Sequence, residues 1–282
     1  MPARLLLCLT LLLTSSLSLA ADSRFQGLRG DPGLRSASAL VLDREGRVIY
    51  SKDTDSVRPI ASITKLMTAM VILDAGLDLE EKITVTREDR DLIRLTGSRL
   101  DYGATLTRRE MLLLALMSSE NRAAHALGRT YPGGLKAFVQ AMNLKAEALG
   151  MRNSQFADPA GLHGDNLSTA RDLALMVRAA EAYPLITEAS TTQGVAVRPW
   201  SNRGPLNYAN TNRLLKNAQW HIALSKTGYL DEAGRCLVMR ATIQGEPVSI
   251  ILLNSFGKLT PFGDSNRLRK WLLSSSGNLA QR

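Results

Sequence analysis

From Pro59 to Leu73 the chain reads Pro-Ile-Ala-Ser-Ile-Thr-Lys-Leu-Met-Thr-Ala-Met-Val-Ile-Leu, apolar on almost every side but with a serine and a lysine three residues apart at its start. A helix that is greasy all round has no face to give to water, so it belongs inside a core. On such a helix Ser62 and Lys65 lie one turn apart on one face. Burial disfavours the ammonium form, which lets the amine stay neutral and act as a base beside the hydroxyl. The fold must therefore wrap a core around one helix, and the pair at its start has the arrangement of a serine nucleophile activated by lysine.

The first residues stand apart from this problem. Arg4 precedes the apolar run Leu5–Leu13, and Ser18-Leu19-Ala20 supplies small residues for cleavage after Ala20 or Ala21. Residues 1–21 thus read as a secretory signal peptide, the apolar run being shorter than the roughly 20 residues of a spanning helix. Cys8 lies inside that run, away from a lipidation position, and the mature chain keeps one cysteine, Cys236, so no internal disulfide forms. Cys236 itself, in the run Cys236-Leu237-Val238-Met239, reads as a small buried apolar residue. The formal charge of +9 is spread without basic runs or interleaved aromatics, which argues against nucleic acid and for an anionic polymer or surface outside the cytoplasm.

Residues 22–36 form a lead-in, and residues 37–282 read as one domain. Ala37–Leu42 and Val48–Tyr50 predict a hairpin turned at Asp43–Arg47. After the central helix, closed by Asp74-Ala75-Gly76, apolar residues at helical spacing predict helices over 108–117, 121–128, 134–149 and 169–182. The last third returns to strands at 222–228, 236–243 and 248–254, joined by tight turns into a meander. Strands at both ends with helices between them predict an α+β fold: an antiparallel sheet built from both termini, with a helical region inserted and a cleft where the two meet.

Ser-x-x-Lys alone is weak, since Ser255-Phe256-Gly257-Lys258 also matches; that copy follows a strand and contains a helix-breaking glycine. Ser-x-Asn occurs both at Ser119-Glu120-Asn121 and at Ser276-Gly277-Asn278, whereas Lys226-Thr227-Gly228 occurs once. What is specific is the set in this order, at a helix start, a break between helices and a strand. With these motifs the chain resembles the penicillin-binding proteins and serine beta-lactamases, and within them the low-molecular-mass D-alanyl-D-alanine endopeptidases of the penicillin-binding protein 7 type. The segments Leu112–Ala124, Tyr131–Gly134, Ser168–Leu173, Asn210–Asn212, Cys236–Arg240 and Phe256–Lys258 share that likeness.

The resemblance implies an α/β/α sandwich of the beta-lactamase and transpeptidase type, acting without cofactor or metal. It implies that Ser62 attacks a D-alanyl carbonyl of peptidoglycan to form an acyl-enzyme, with Lys65 taking its proton and Ser119, reaching both lysines, relaying a proton to the departing amine. A charged Lys226 would push Lys65 toward its neutral form. Asn121 would bind a substrate peptide carbonyl, Lys226 and Thr227 a carboxylate, and Gly228 would let substrate lie along the strand edge. The backbone N–H groups of Ser62 and Tyr229 would form the oxyanion hole. Beta-lactams are then expected as covalent inhibitors and the periplasm as the location, with at most peripheral membrane contact.

Competing readings use the same residues. Only 56 residues follow Lys226, too few for the extra beta domain of many family carboxypeptidases, which favours an endopeptidase over a D,D-carboxypeptidase. No carboxylate segment suited to activating a deacylating water is evident, which speaks against a beta-lactamase, and a non-turnover penicillin-binding sensor would be acylated once only. Of the remaining features, His125, His163 and His221 lack metal-ligand spacing and read as packing or surface residues. Asp158–Leu162 reads as a turn near the cleft, Ser265 as a helix cap, and Leu268, Trp271 and Leu272 as a stripe packed on the sheet.

Overall fold

The computed structural model describes Arg24, Phe25 and residues 27–276, so the signal-peptide reading lies outside the described residues. The hairpin β1 (Ser36–Leu42) and β2 (Val48–Lys52) comes first. A short β3 (Arg58–Pro59) leads through a single 3-10 turn, Ala61–Ile63, into α1 (Thr64–Asp74). The ribbon β4 (Lys82–Thr84) and β5 (Thr105–Thr107) brackets a long loop before α2 (Arg108–Met117), α3 (Asn121–Arg129) and α4 (Gly134–Ala148). Strand β6 (Leu167–Ser168) pairs back with β3, and α5 (Ala170–Ala180) and α6 (Pro184–Thr191) follow. The hairpin of β7 (Gly194–Val197) and β8 (Leu206–Ala209) precedes the meander β9 (His221–Leu230), β10 (Gly234–Ile243) and β11 (Glu246–Ser255), and α7 (Thr260–Ser276) closes the chain.

Five strands form one antiparallel sheet in the order β2-β1-β11-β10-β9, so first and last segments pair in its middle. Alternation along the strands divides the core in two. Leu40, Val238 and Ile251 face the helical side with α1, while Ala39, Val41, Leu237, Met239 and Leu252 face α7 through Leu268 and Leu272. Helices therefore cover both faces, giving the expected sandwich. The stripe on α7 packs on the sheet, and the Trp271 ring meets Tyr50 edge-on at 5.9 Å.

Helix α1 is buried at every position from Thr64 to Ile72, as its all-round apolar character requires. Ser62 departs from expectation in a small way: it sits in the 3-10 turn just before the α-helix. Ser265 is a correction. It lies inside α7, fully buried, and its hydroxyl donates to the Pro261 carbonyl one turn back. Its neighbour Asp264 ties helix to sheet, accepting from the Ser36 N–H at 2.7 Å and the Ser36 hydroxyl at 2.5 Å. Helix α6 and the β7–β8 hairpin were not foreseen; both are short, and their apolar residues follow no clear period.

Candidate active site

Three segments converge at the exposed edge of β9. The 3-10 turn presents Ser62, the break between α2 and α3 presents Ser119 and Asn121, and β9 presents Lys226, Thr227, Gly228 and Tyr229. Ser62, Ser119, Asn121, Thr211, Thr227, Gly228 and Tyr229 line one cleft of about 350 Å³. Beneath it lie Lys65 and Lys226, 0% and 1% exposed.

Two glycines let these segments approach. At Gly228 a Cβ would stand 2.9 Å from the Ile60 carbonyl and 3.2 Å from the Ser62 nitrogen, so only a bare backbone lets β9 close on the nucleophile's turn. At Gly161 a Cβ would fall 2.0 Å from the Ala61 carbonyl oxygen, with φ at +75° besides. Strain gathers here as well: Ala61, just before Ser62, and Ser119 both adopt left-handed backbone, at φ 49° and 61°. The surrounding structure holds both. Glu120 caps α3 by accepting from the Arg122 N–H, and the Thr64 hydroxyl donates to the Ala61 carbonyl at 2.7 Å.

The Lys65 amine lies 2.9 Å from the Ser62 hydroxyl, 2.8 Å from Asn121 Oδ1 and 2.5 Å from the Ala160 carbonyl. Burial lowers its pKa to about 8, against the pull of Asp158, Glu120 and Asp91. The Lys226 amine donates to the Ser119 hydroxyl at 3.0 Å and to the Thr227 carbonyl at 2.9 Å. Burial first, and then the charge of Lys65, hold it well below the ordinary lysine value.

One expectation is corrected by this geometry. Among the described residues the Ser119 hydroxyl is hydrogen-bonded to Lys226 alone, because the Lys65 amine turns to Ser62, Asn121 and Ala160. Burial depresses both lysines and the repulsion between their charges is mutual, while Asp158, Glu120 and Asp91 favour the proton on Lys65.

Supporting residues came from loops that carry no periodic signal. Asp158 accepts from the N–H groups of Ala160, Gly161, Leu162 and His163 and from Asn166 Nδ2, fixing the turn that offers its Ala160 carbonyl to Lys65. Asp91 accepts from Ile93, Arg94 and Thr96, and the Thr96 hydroxyl in turn accepts from Asn121 Nδ2 at 3.0 Å. The Asn210-Thr211-Asn212 triplet divides its work. Asn210 and Asn212 bind backbone, while the Thr211 hydroxyl accepts from Thr227 at 2.7 Å inside the cleft.

Lys258, set aside with its Ser-x-x-Lys copy, also lines the cleft, together with Arg235, whose guanidinium stacks 3.5 Å over the Tyr229 ring. Cys236 is 2% exposed, and burial pushes its thiol up to about 11, so it behaves as the apolar residue expected. His125 Nδ1 sits 2.9 Å from Asp89, in packing away from the cleft's lining.

Comparison with known proteins agrees across most of the chain. The family model described as D-alanyl-D-alanine carboxypeptidase matches residues 28–257. A D-alanyl-D-alanine endopeptidase of Pseudomonas aeruginosa is 49% identical over 273 residues, covering 95% of this chain and 88% of its own. The Escherichia coli D-alanyl-D-alanine endopeptidase is 48% identical over 86% of this chain and 78% of its own. Among solved structures, a Streptomyces DD-transpeptidase superposes with a TM-score of 0.80 at 27% identity, covering 87% of this chain and all of that one. Penicillin-binding protein D2 of Listeria monocytogenes, in its cefotaxime-bound form, follows with a TM-score of 0.76 at 28% identity, over 87% of this chain and all of its own.

Proposed function

This chain belongs to the D-alanyl-D-alanine carboxypeptidase family of serine peptidases, and on that premise we propose that its cleft hydrolyses D-alanyl cross-links of peptidoglycan, as a D-alanyl-D-alanine endopeptidase. The observation that carries the reading is the environment of the Lys65 amine. A neutral amine has two N–H bonds and one lone pair. With the N–H bonds spent on Asn121 Oδ1 and the Ala160 carbonyl, the lone pair is left for the Ser62 hydroxyl at 2.9 Å.

Ser62 Oγ then attacks the carbonyl of the D-alanine on the acyl side of the link, and its proton passes to Lys65. The backbone N–H groups of Ser62 and Tyr229 receive the developing oxyanion; a single such donor is worth about 3 kcal/mol in a serine protease. Ser119 gives its hydroxyl proton to the departing amine, and Lys226, the lysine it touches, replaces it. A substrate carboxylate held by Lys226 and Thr227 favours the charged form of Lys226, so binding itself loads that proton. Asn121 directs its amide to the acyl-side peptide, and Gly228 admits that peptide along the edge of β9. Water completes the cycle by hydrolysing the ester: its hydroxyl joins the acyl carbon and its other proton returns to Ser62 Oγ, while Lys65 releases to solvent the proton it took and Lys226 regains one from solvent.

Beta-lactams, which carry an acylating carbonyl and a carboxylate, fit the same positions as covalent inhibitors. Action on wall peptide places the enzyme outside the cytoplasm, in the periplasm. A D-alanyl-D-alanine carboxypeptidase is the alternative, favoured by the family model's own description and by relatives such as the Bacillus subtilis carboxypeptidase at 31% identity.

Fluorescent penicillin should label the natural protein but neither Ser62→Ala nor Lys65→Ala; labelling of the first overturns the nucleophile. Cross-linked dimers and uncross-linked pentapeptides, offered together and read by mass, should show the dimers consumed. Digestion of the pentapeptide alone assigns the carboxypeptidase reaction instead.

A further inference from the structure

The lone pair of Lys65 is free for Ser62 only while Asn121 turns its Oδ1, and not its amide nitrogen, toward the amine. A carboxamide has a second way to sit. Rotated by half a turn about its last bond, Asn121 would aim its NH2 at Lys65, and a neutral amine could meet that donor only with the lone pair that Ser62 needs. Nothing in Asn121 itself chooses between the two. The choice falls to the loop between β4 and β5.

Asp91, 8% exposed, anchors that loop. Its Oδ1 accepts from the Ile93 and Arg94 N–H groups, and its Oδ2 accepts from the Thr96 N–H at 2.9 Å and the Thr96 hydroxyl at 2.7 Å. Burial pushes its carboxyl up, but the bonds from Arg94, Thr96 and Ile93 outweigh it and hold the group below the ordinary aspartate value, so it is charged and can only accept. Between these donors Leu95 adopts left-handed backbone at φ 54°, strain that the bonds to Asp91 hold in place. A hydroxyl has one proton. With that proton given to Asp91, the Thr96 oxygen can only accept in turn, and it accepts from Asn121 Nδ2 at 3.0 Å. Every bond of the chain thus runs one way: Lys65 donates to Asn121, Asn121 to Thr96 and Thr96 to Asp91.

We propose that Asp91 and Thr96 are positioning residues for acylation: their one-way chain fixes the Asn121 amide with its oxygen on Lys65 and its second N–H left for the acyl-side carbonyl. The inference rests on Lys65 as the base and adds what orients it. Neither residue is among those that line the cleft, so each acts through Asn121. Asp91 also bears on Lys65 by charge, with Asp158 and Glu120 beside it, while Lys226 faces the amine from β9. Removing the hydroxyl at 96 leaves all four of those charges in place.

Stopped-flow acylation by penicillin from pH 6 to 10 tests the proposal on the natural protein, Thr96→Val, Thr96→Ser and Asp91→Asn. Thr96→Val keeps the shape and removes the acceptor, which frees Asn121 to turn. Its rate on the plateau above pH 8 should fall about tenfold, the size of one hydrogen bond. The fixed Oδ1 also favours the ammonium form, so the midpoint of the profile should move to lower pH and the deficit should narrow toward pH 6. Thr96→Ser returns the hydroxyl and should restore both rate and midpoint. Asp91→Asn keeps an acceptor for Ile93 and Arg94 but lets Thr96 give its proton to Asn121, so it should lose at least as much as Thr96→Val. A natural rate in Thr96→Val or Asp91→Asn overturns the proposal. So does a slower Thr96→Val whose midpoint has not moved, the result of a merely loosened loop, or a Thr96→Ser that restores neither quantity. A profile without pH dependence in the natural protein would instead overturn Lys65 as the base, so the two failures are told apart.

Discussion

The depressed pKa of Lys65 ties catalysis and stability to one number. A lysine that titrates at about 8 in the folded protein and at about 10.5 when unfolded is about a tenth neutral at pH 7. If the neutral amine is the base, the second-order rate of acylation by penicillin should climb about tenfold per pH unit below 8 and level off above it. The same shift acts on folding with a definite sign. Between pH 8 and 10.5 the unfolded lysine keeps a proton that the folded one has lost, so the unfolding free energy rises with pH across that window. The gain from this residue is of the order of 3 kcal/mol, and the full cost is present below pH 8, where both states are charged. Lys226, shifted in the same direction by burial and by the charge of Lys65, adds a rise of the same sign.

The measurements are stopped-flow acylation and urea unfolding from pH 6 to 10.5, on the natural protein and on Lys65→Met. The variant should not acylate, and the difference in stability between the two proteins should narrow or reverse in favour of the natural one as pH rises. Because Lys65 is one cause of the Lys226 shift, that difference contains their coupling as well. An acylation profile flat from pH 6 to 9, or unfolding curves for the two proteins that run parallel across the whole range, would refute the assignment of Lys65 as a buried, neutral base.

Three further outcomes follow from the packing. Gly228→Ala brings a methyl to 2.9 Å from the Ile60 carbonyl and should push β9 off the nucleophile's turn, slowing penicillin acylation by about tenfold or more while urea unfolding shifts by only about 1–2 kcal/mol. Gly161→Ala puts a methyl on the Ala61 carbonyl at a left-handed position, so it should cost about 3 kcal/mol or more of stability in the same unfolding assay. Asp264→Ala takes from the buried Ser36 N–H its acceptor and leaves the Ser36 hydroxyl only its bond to Ser255, without touching Ser62, Lys65, Ser119 or Lys226. It should lose about 2–4 kcal/mol in unfolding, yet acylate at the natural rate at low temperature.

Much of the fold was legible because its elements repeat. The apolar runs set off by tight turns at both ends and the helical spacing between residues 108 and 182 recover the sheet and most of the helices, with ends displaced by a residue or two. The site was legible through its motifs: Ser62 with Lys65, Ser119 with Asn121, and Lys226 through Tyr229 occupy one cleft and the floor beneath it. What stayed hidden has no period. Helix α6 and the β7–β8 hairpin are too short to declare one. Asp158, Asp91 and Thr96 act through backbone bonds and contacts with residues tens of positions away.

By itself the chain determined the chemistry that could be performed, since an apolar helix with a serine and lysine at its head can only be buried, and a buried amine can only resist its charge. Tertiary structure decided the partners of each proton. Whether Ser119 answers to Lys65 or Lys226 depends on which carbonyl and which amide reach the Lys65 amine first, and those come from a turn 95 residues further on and a helix start 56 residues on. Spacing along a helix is a local property carried by the backbone's own geometry. The meeting of distant segments is settled by packing, through a carbonyl at Ala160 and a missing Cβ at Gly228 whose neighbours no linear pattern names.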